Sequence, residues 1–299
     1  MDARDYIHIS PPEIEGGKFL EKIYELQKQL IDGYVKIEGL PQYPINVNTK
    51  SSQVLIKDFV GRVIEELAEG YESMLLIDKI VVENVYFSYD YDDEDLTQVI
   101  NHLQNVSEEF ADAMHFMVEL LIYVNIQPED ILNYIAKAMT VETFEKFCKE
   151  DREDVILMAM YYGRSKLEEE DLSRPMHPMN LLFTYNSVNS GKDNGNISDG
   201  VSCDLYQAAN NYNHIFYLDF KKTLWNVTYH LNIARNCLKN KPWKQSQMMT
   251  DEINFQKEIV EGFIALMGAF SISGLSPETL YHIYFWKHEA NVFRQKSSY

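Results

Sequence analysis

Two apolar stretches, each carrying a pair of carboxylates, constrain this chain most. The first, VIEELAEGYES, contains Glu66 and Glu69, and the second, NVSEEFADAMHF, contains Glu109 and Asp112. Residues three apart lie on the same face of a helix, so each pair should project side by side. Carboxylates among side chains that favour burial are costly unless they are paired or bound to a metal. The sequence therefore predicts two helices whose four acids converge on a site for Mg²⁺ or Mn²⁺.

An ordinary solvated acidic face is the alternative for any single E-x-x-E pattern. Two such pairs, each in an apolar run, favour the metal site over that alternative. The second stretch also contains His115. We interpret His115 as a packed helix residue with satisfied ring nitrogens, with a role as a ligand as the alternative.

The two stretches resemble the motifs of the all-α nucleoside triphosphate pyrophosphatases. The first follows the pattern E-x-x-E-x-x-[acid]-S, ending at Glu72 and Ser73, and the second follows N-V-x-x-E-x-x-D-x-x-H-F. Within that superfamily, the His-Phe pair and the Asn four residues before the second Glu are most similar to the dimeric dUTPases, with MazG-type enzymes as relatives. The resemblance implies an all-α helical bundle and an enzyme that hydrolyses a nucleoside triphosphate to a monophosphate and pyrophosphate.

The same resemblance implies the catalytic machinery. Mg²⁺, or Mn²⁺ in its place, would bridge the triphosphate and lower the pKa of a bound water. One of the acids would accept the proton of that water, with Glu65 and Glu72 as further candidates. The candidate catalytic and metal-binding residues are Glu66, Glu69, Glu109 and Asp112.

Three further stretches resemble substrate-binding elements of dimeric dUTPases. FLEKIYELQKQL is similar to their first helix, in which a Gln recognises uracil; an exposed helix amide is the alternative for the matching residue. NKPWKQ resembles a Trp-Lys stretch that contacts phosphates, and WKHEANVFRQKSSY resembles the C-terminal motif, for which a surface helix that balances charge is the alternative. The candidate substrate-binding residues are Gln27, Lys241, Trp243, Lys244, Lys287, Asn291, Arg294 and Tyr299.

The composition of the chain limits which classes of binding partner are expected. The net charge of −19 excludes a general nucleic-acid binder, which needs a basic surface, whereas divalent metals can reverse the local field at a small anionic ligand. We expect the partner to be a nucleoside triphosphate, namely a pyrimidine deoxynucleotide. There is no apolar run of membrane-spanning length and no signal peptide, so we expect a soluble cytoplasmic protein without a membrane partner. The three widely spaced cysteines fit neither a disulfide framework nor a zinc site.

The spacing of apolar residues predicts helices along most of the chain. The pattern predicts a first helix from Lys18 to near Gly33, a loop from Gly39 to Ser52, and a long helix over Ser52–Leu76. Residues 86–96 form an acidic insertion that we interpret as a solvated loop. Further helices are predicted over residues 130–139, 141–150 and 155–162, and the polar residues 172–213 are predicted to be mobile.

The later part of the chain repeats the earlier part at a constant offset of 149 residues. Pro128 aligns with Pro277, Glu109 with Glu258, and Asp112 with Glu261, while His230 and Ile233 stand where the first acid pair would be. Chance similarity of amphipathic helices is the alternative. We predict one helical unit over residues 1–171 with the complete acid set, and a second, altered unit over 214–299 that packs on it. The protein would then be a monomer with an internal pseudo-dimer, or a homodimer.

Two other functions stay open. Nucleotide binding without catalysis needs the same acids as hydrolysis. A helical interaction protein without a ligand is the other alternative, and its melting temperature should not respond to Mg²⁺ and nucleotide.

Overall fold

The computed structural model describes residue 6 and residues 8–87, 93–140, 154–166, 214–239 and 249–297. All regular structure in these residues is helical, which confirms the predicted all-α class. The elements are a 3₁₀ turn at Glu15–Gly17 and the helices α1 (Phe19–Glu38), α2 (Lys50–Phe87), α3 (Asp93–Tyr123), α4 (Pro128–Ala138), α5 (Val155–Ser165), α6 (His214–Cys237), α7 (Glu252–Ile272) and α8 (Pro277–Lys296).

Helix α3 forms the centre of the fold. Its apolar side chains first recur every three or four residues, as at Val99, Leu103 and Val106, and all three are buried. From Phe110 onward, buried residues occupy almost every side of the helix. A helix that is apolar all round must be enclosed by other elements, so α3 is covered by helices from both ends of the chain.

Two long helix pairs build the core. Helix α2 packs along α3, and α6 packs along α7. The pairs meet through Phe110 of α3, whose ring centroid lies 5.4 Å from that of Phe220 and 5.0 Å from that of Phe270. Helix α5 packs against α7, and α8 packs against α1 and α3. The core is therefore continuous across both parts of the chain.

The turns that follow α3 and α7 have the same backbone hydrogen bonds at the offset of 149 residues. The amide of Ile126 donates to the carbonyl of Leu121 over 2.9 Å, and the amide of Leu275 donates to that of Phe270 over 3.0 Å. Asn125 has φ 61° and Gly274 has φ 78°, the left-handed conformation that ends many helices. The next helices begin at Pro128 and Pro277, each at the first helical turn where proline loses no hydrogen bond.

Two predicted boundaries are wrong. Helix α1 continues past Gly33 to Glu38 and ends at Gly39, which adopts φ 70°. Gly33 instead allows the close approach of Gln295, whose side-chain amide a Cβ at that position would overlap. Helix α2 extends beyond the predicted end at Leu76 to Phe87, and α3 begins at Asp93, so the described parts of the acidic insertion are helical rather than loop.

Several predictions lie outside the described residues. These are the helix at residues 141–150, the mobile segment at residues 172–213, and the candidates Lys241, Trp243, Lys244 and Tyr299. Among the helices that are described, none is individually long and apolar enough to span a membrane. Helices α7 and α8 meet such a criterion of length and composition only when taken together, and they are bent by 105°.

Candidate functional site

Three of the four predicted acids converge. Glu66 and Glu69 project from α2 and Glu109 from α3, and one carboxylate oxygen of each lies within 4.8 Å of the other two. Helices α2 and α3 are close here, since a Cβ at Gly70 would be in van der Waals contact, 3.4 Å from the Cβ of Glu109. Asn105 joins the same helices by donating a hydrogen bond of 2.9 Å to the hydroxyl of Ser73. Oxygen ligands at this spacing suit a hard divalent cation.

The fourth acid, Asp112, lies outside this group of three. Its carboxylate pairs with the ammonium of Lys287 at 2.6 Å, and the same ammonium lies 3.0 Å from Glu108. Lys287 comes from α8 and its side chain is only 4% exposed. The structure therefore places this predicted substrate-binding lysine against two carboxylates of α3, one of them a predicted metal ligand.

The surroundings of Glu66, Glu109 and Asp112 disfavour the charged form of each carboxylate. Burial, together with the negative charges of Asp112 and Glu109, raises the pKa of Glu66 to about 8. Burial also raises the pKa of Glu109 and of Asp112, although Lys287 opposes the rise at Asp112. Carboxylates held close together in a half-buried site resist full ionisation. A divalent cation would remove that repulsion, so the donor set fits a metal such as Mg²⁺.

A cavity of about 360 Å³ opens beside the acids, within the size range of small-molecule sites. Helices α1, α2, α3 and α8 line it, so residues from both ends of the chain meet there. Its wall includes five of the predicted site residues, which are Gln27, Glu66, Asp112, Asn291 and Arg294. The wall also carries five carboxylates and two arginines, so an anionic ligand would need additional positive charge to bind.

Gln27 is buried in this wall, with 2% of its surface exposed, so the alternative of an exposed helix amide is wrong. Its Oε1 lies 2.9 Å from Nδ1 of His115 and accepts a hydrogen bond from the hydroxyl of Tyr284. Its Nε2 donates to Glu119 over 3.3 Å. Helices α3 and α8 therefore hold the amide of Gln27 in place.

His115 is a packed residue, as predicted, but only one of its ring nitrogens is satisfied among the described residues. Nε2 is buried without a hydrogen-bond partner there. The ring stacks on Tyr284 with centroids 3.9 Å apart. Burial, with the positive charges of His288 and Lys287, holds the pKa of His115 well below its ordinary value, so the ring is neutral.

Two arginines, Arg62 and Arg294, supply positive charge on the cavity wall. Arg294 donates to the amide oxygen of Asn291 over 3.1 Å, and both project from the last turns of α8. From α2, Arg62 lies over the ring of Phe116 at 5.3 Å from its centroid and pairs with Asp58 at 3.0 Å. The cavity wall thus carries the candidate metal ligands Glu66 and Asp112 together with two arginines.

A second cluster occupies the matching position between α6 and α7. Nδ1 of His230 lies 2.8 Å from Glu258, the counterpart of Glu109. Glu261, the counterpart of Asp112, accepts hydrogen bonds from Tyr134 and Lys166. Burial acts to raise the pKa of Glu261, but these two hydrogen bonds outweigh it and the pKa lies below its ordinary value. Both acids therefore have protein partners, and Lys166 places a positive charge beside Glu261.

Sequence reasoning did not identify Glu119, the buried carboxylate beside Gln27. Burial raises its pKa to about 7, opposed by the nearby charge of Arg62. The signal that could have revealed it is its position in the run MVELLIY, where a charged residue interrupts an otherwise apolar stretch. Glu108, the second partner of Lys287, was also missed, because nothing local distinguishes it from a solvated acid.

Comparison with known proteins identifies no relative. No family model matches the chain, and neither the curated proteins nor the solved structures include a match. Function must therefore be inferred from the site itself.

Proposed function

We propose that this protein is a Mg²⁺-dependent nucleoside triphosphate pyrophosphohydrolase, similar to dUTPases, that acts on a pyrimidine deoxynucleotide. The observation that carries the proposal is the single cavity lined by Gln27, Asn291 and Arg294 as well as by Glu66 and Asp112. Residues that the family resemblance implies for the base, the phosphates and the metal come from α1, α2, α3 and α8. They would not be expected to share one cavity if each motif match were accidental.

The acids support the metal-dependent half of the proposal. Glu66, Glu69 and Glu109 would hold the cation, with Asp112 beside them. Bound there, Mg²⁺ would polarise the phosphate oxygens and lower the pKa of a water molecule. A neighbouring carboxylate would accept the proton of that water. Arg294 and Asn291 orient the phosphates, and the cation offsets the excess of carboxylates on the wall.

We also propose that the chain consists of two related helical units, residues 1–171 and 214–299, packed as one domain. The matching turns after α3 and α7 support this, since their hydrogen bonds and positive φ angles recur at the offset of 149 residues. Each unit also gives a lysine to the other. Lys166 of the first unit pairs with Glu261, and Lys287 of the second unit pairs with Asp112. The two acids in these pairs are counterparts at the offset of 149 residues, whereas the two lysines are not.

The direct test is pyrophosphate release from a panel of dUTP, dCTP, dTTP, dATP and dGTP with Mg²⁺. The proposal expects release from one pyrimidine nucleotide in preference to the others, and no release after chelation of the metal. If no nucleotide in the panel yields pyrophosphate, the protein is not this enzyme.

Nucleotide binding without hydrolysis is a second candidate, and one observation favours it. Lys287 neutralises Asp112, so the described metal group has three carboxylates rather than four. In that case, a nucleotide with Mg²⁺ should raise the melting temperature while no pyrophosphate appears.

A further inference from the structure

The cavity contains one buried carboxylate that the proposed chemistry does not use. Glu119 is 6% exposed and lines the same cavity as Gln27, next to the ring of Phe116. Burial penalises the charged form of this acid and is unfavourable for stability, even with the positive charge of Arg62 nearby. A role in the cavity would account for its position.

The hydrogen-bond network fixes which groups Gln27 presents. Above its pKa of about 7, Glu119 is ionised and only accepts hydrogen bonds, so the part of Gln27 that faces it is the NH₂ group. The carbonyl oxygen of Gln27 then faces Nδ1 of His115 and the hydroxyl of Tyr284, and both must donate to it. The neutral ring of His115 satisfies this requirement when Nδ1 carries the proton.

One donor and one acceptor remain for a ligand. Nε2 of Gln27 has a second hydrogen, because only one is used by Glu119. The carboxylate of Glu119 has further lone pairs. The ring of Phe116, with Arg62 over it, is also part of the wall, and the cavity of about 360 Å³ is large enough for a nucleobase.

We propose that Glu119 and Gln27 together read the hydrogen-bonding edge of a pyrimidine base, with Glu119 accepting from a base N–H and Gln27 donating to the adjacent ring acceptor. Both uracil, through N3–H and a carbonyl, and cytosine, through its amino group and N3, offer an N–H beside an acceptor. This inference deepens the proposed function and rests on it for the identity of the ligand. Its new element is the specificity role of Glu119.

The test uses nucleosides, which carry no phosphate and so probe the base pocket alone. Affinities are measured by calorimetry at pH 8 for deoxyuridine and its N3-methyl derivative, and for deoxycytidine and its N4,N4-dimethyl derivative. Each methylated partner lacks the N–H that Glu119 would accept. The proteins are the parent, Glu119→Gln, and Glu38→Gln as a charge control, because Glu38 is an exposed carboxylate on the wall of the same cavity.

The parent should bind one unmethylated nucleoside at least about tenfold more tightly than its methylated partner, as expected for a hydrogen bond to a charged group. In Glu119→Gln that ratio should fall by about fivefold or more, while Glu38→Gln keeps the parent's ratio. The steric cost of the methyl groups is common to all three proteins and cancels in the comparison. Urea unfolding checks the fold, and Glu119→Gln should be at least as stable as the parent, since it removes a buried charge.

Three results would overturn the role of Glu119. They are a parent that binds neither nucleoside, a parent that binds methylated and unmethylated forms equally, and a ratio that Glu119→Gln leaves unchanged. Pyrophosphate release is scored separately. If the affinity ratio falls in Glu119→Gln but no triphosphate is hydrolysed, the base pocket is supported and the hydrolase proposal is wrong. If triphosphate is hydrolysed but the ratio is unchanged in Glu119→Gln, only the role of Glu119 is wrong.

Discussion

The two acidic clusters of this protein occupy matching positions but differ in how their charge is neutralised. Between α2 and α3, Glu66, Glu69 and Glu109 lie together with no cation of the described residues paired to them in the salt-bridge geometry seen elsewhere. Between α6 and α7, His230 pairs with Glu258, while Glu261 is held by Lys166 and Tyr134. The acids of the first cluster therefore lack a paired cation among the described residues, whereas those of the second are already paired with protein groups.

The pKa values of the acids report this difference. Burial and the surrounding carboxylates raise the pKa of Glu66 to about 8, whereas hydrogen bonds from Lys166 and Tyr134 overcome burial and lower the pKa of Glu261. A site whose acids resist ionisation gains from binding a cation, while an already paired acid gains little. We therefore infer that the first cluster binds metal and that the second stabilises the fold.

The largest expected effect is on turnover. Replacing Glu69 with Gln should lower Mg²⁺-dependent pyrophosphate release by about 100-fold or more, because the amide keeps the shape and loses the charge that holds the ion. Glu69 is exposed, so the fold should be unaffected. The matched control is Glu258→Gln in the second cluster, which should stay within about twofold of the parent. Equal losses in both variants would mean that the clusters do not differ as described.

Much of this comparison could be predicted from the sequence. The spacing of Glu66, Glu69 and Glu109 placed them on facing helices, and the offset of 149 residues located Glu258 and Glu261 in the second cluster. These features are local, since helical periodicity fixes which residues share a face. Gln27 was also identified, through the resemblance of the surrounding helix.

Long-range pairing could not be predicted. The partner of Asp112 is Lys287, which is distant in the chain and reaches α3 only because α8 folds back onto it. The prediction that α1 ends near Gly33 was wrong, because a glycine is needed there for close contact with Gln295 and not for a helix cap. Such contacts depend on how helices pack, and a single sequence does not state that packing.

The second expected effect is on stability and concerns Lys287, which pairs with Asp112, and Lys166, which pairs with Glu261. Lys287→Met should lower the free energy of unfolding by about 3 kcal/mol without metal, because it removes the buried lysine that pairs with the partly buried carboxylates of Asp112 and Glu108. Lys166→Met should cost only about 1 kcal/mol, since the side chain of Lys166 is 35% exposed. Urea denaturation in EDTA measures both. A larger loss of unfolding free energy for Lys166→Met than for Lys287→Met would contradict the conclusion that the Lys287 pair contributes more to stability.

The smallest expected effect is a difference in pH dependence, measured without metal. Glu66 has a raised pKa, so between its ordinary value of 4.5 and about 8 the folded state retains a proton that the unfolded state has lost. The contribution of Glu66 to stability is therefore present at low pH and declines as the pH rises through this window. Glu66→Gln should match the parent near pH 4 and exceed its denaturation midpoint at pH 9.

Glu261 should behave in the opposite way. Its pKa is lowered, so its contribution to stability is present above the ordinary value of 4.5 and is lost as the pH falls through the folded pKa. Glu261→Gln should be less stable than the parent at pH 7, and the difference should shrink below about pH 4. Urea midpoints across this pH range test both signs, and parallel curves for the two variants would contradict the comparison.

The most direct measurement of the central claim is a Mn²⁺ titration, with free Mn²⁺ followed by electron paramagnetic resonance, on the parent and on the equivalent variants Glu109→Gln and Glu258→Gln. A non-hydrolysable deoxynucleoside triphosphate analogue is then added and its stoichiometry is counted. The account predicts that Glu109→Gln loses Mn²⁺ binding, that Glu258→Gln retains it, and that one nucleotide binds per chain. Mn²⁺ binding that survives in Glu109→Gln, or that disappears in Glu258→Gln, would contradict it.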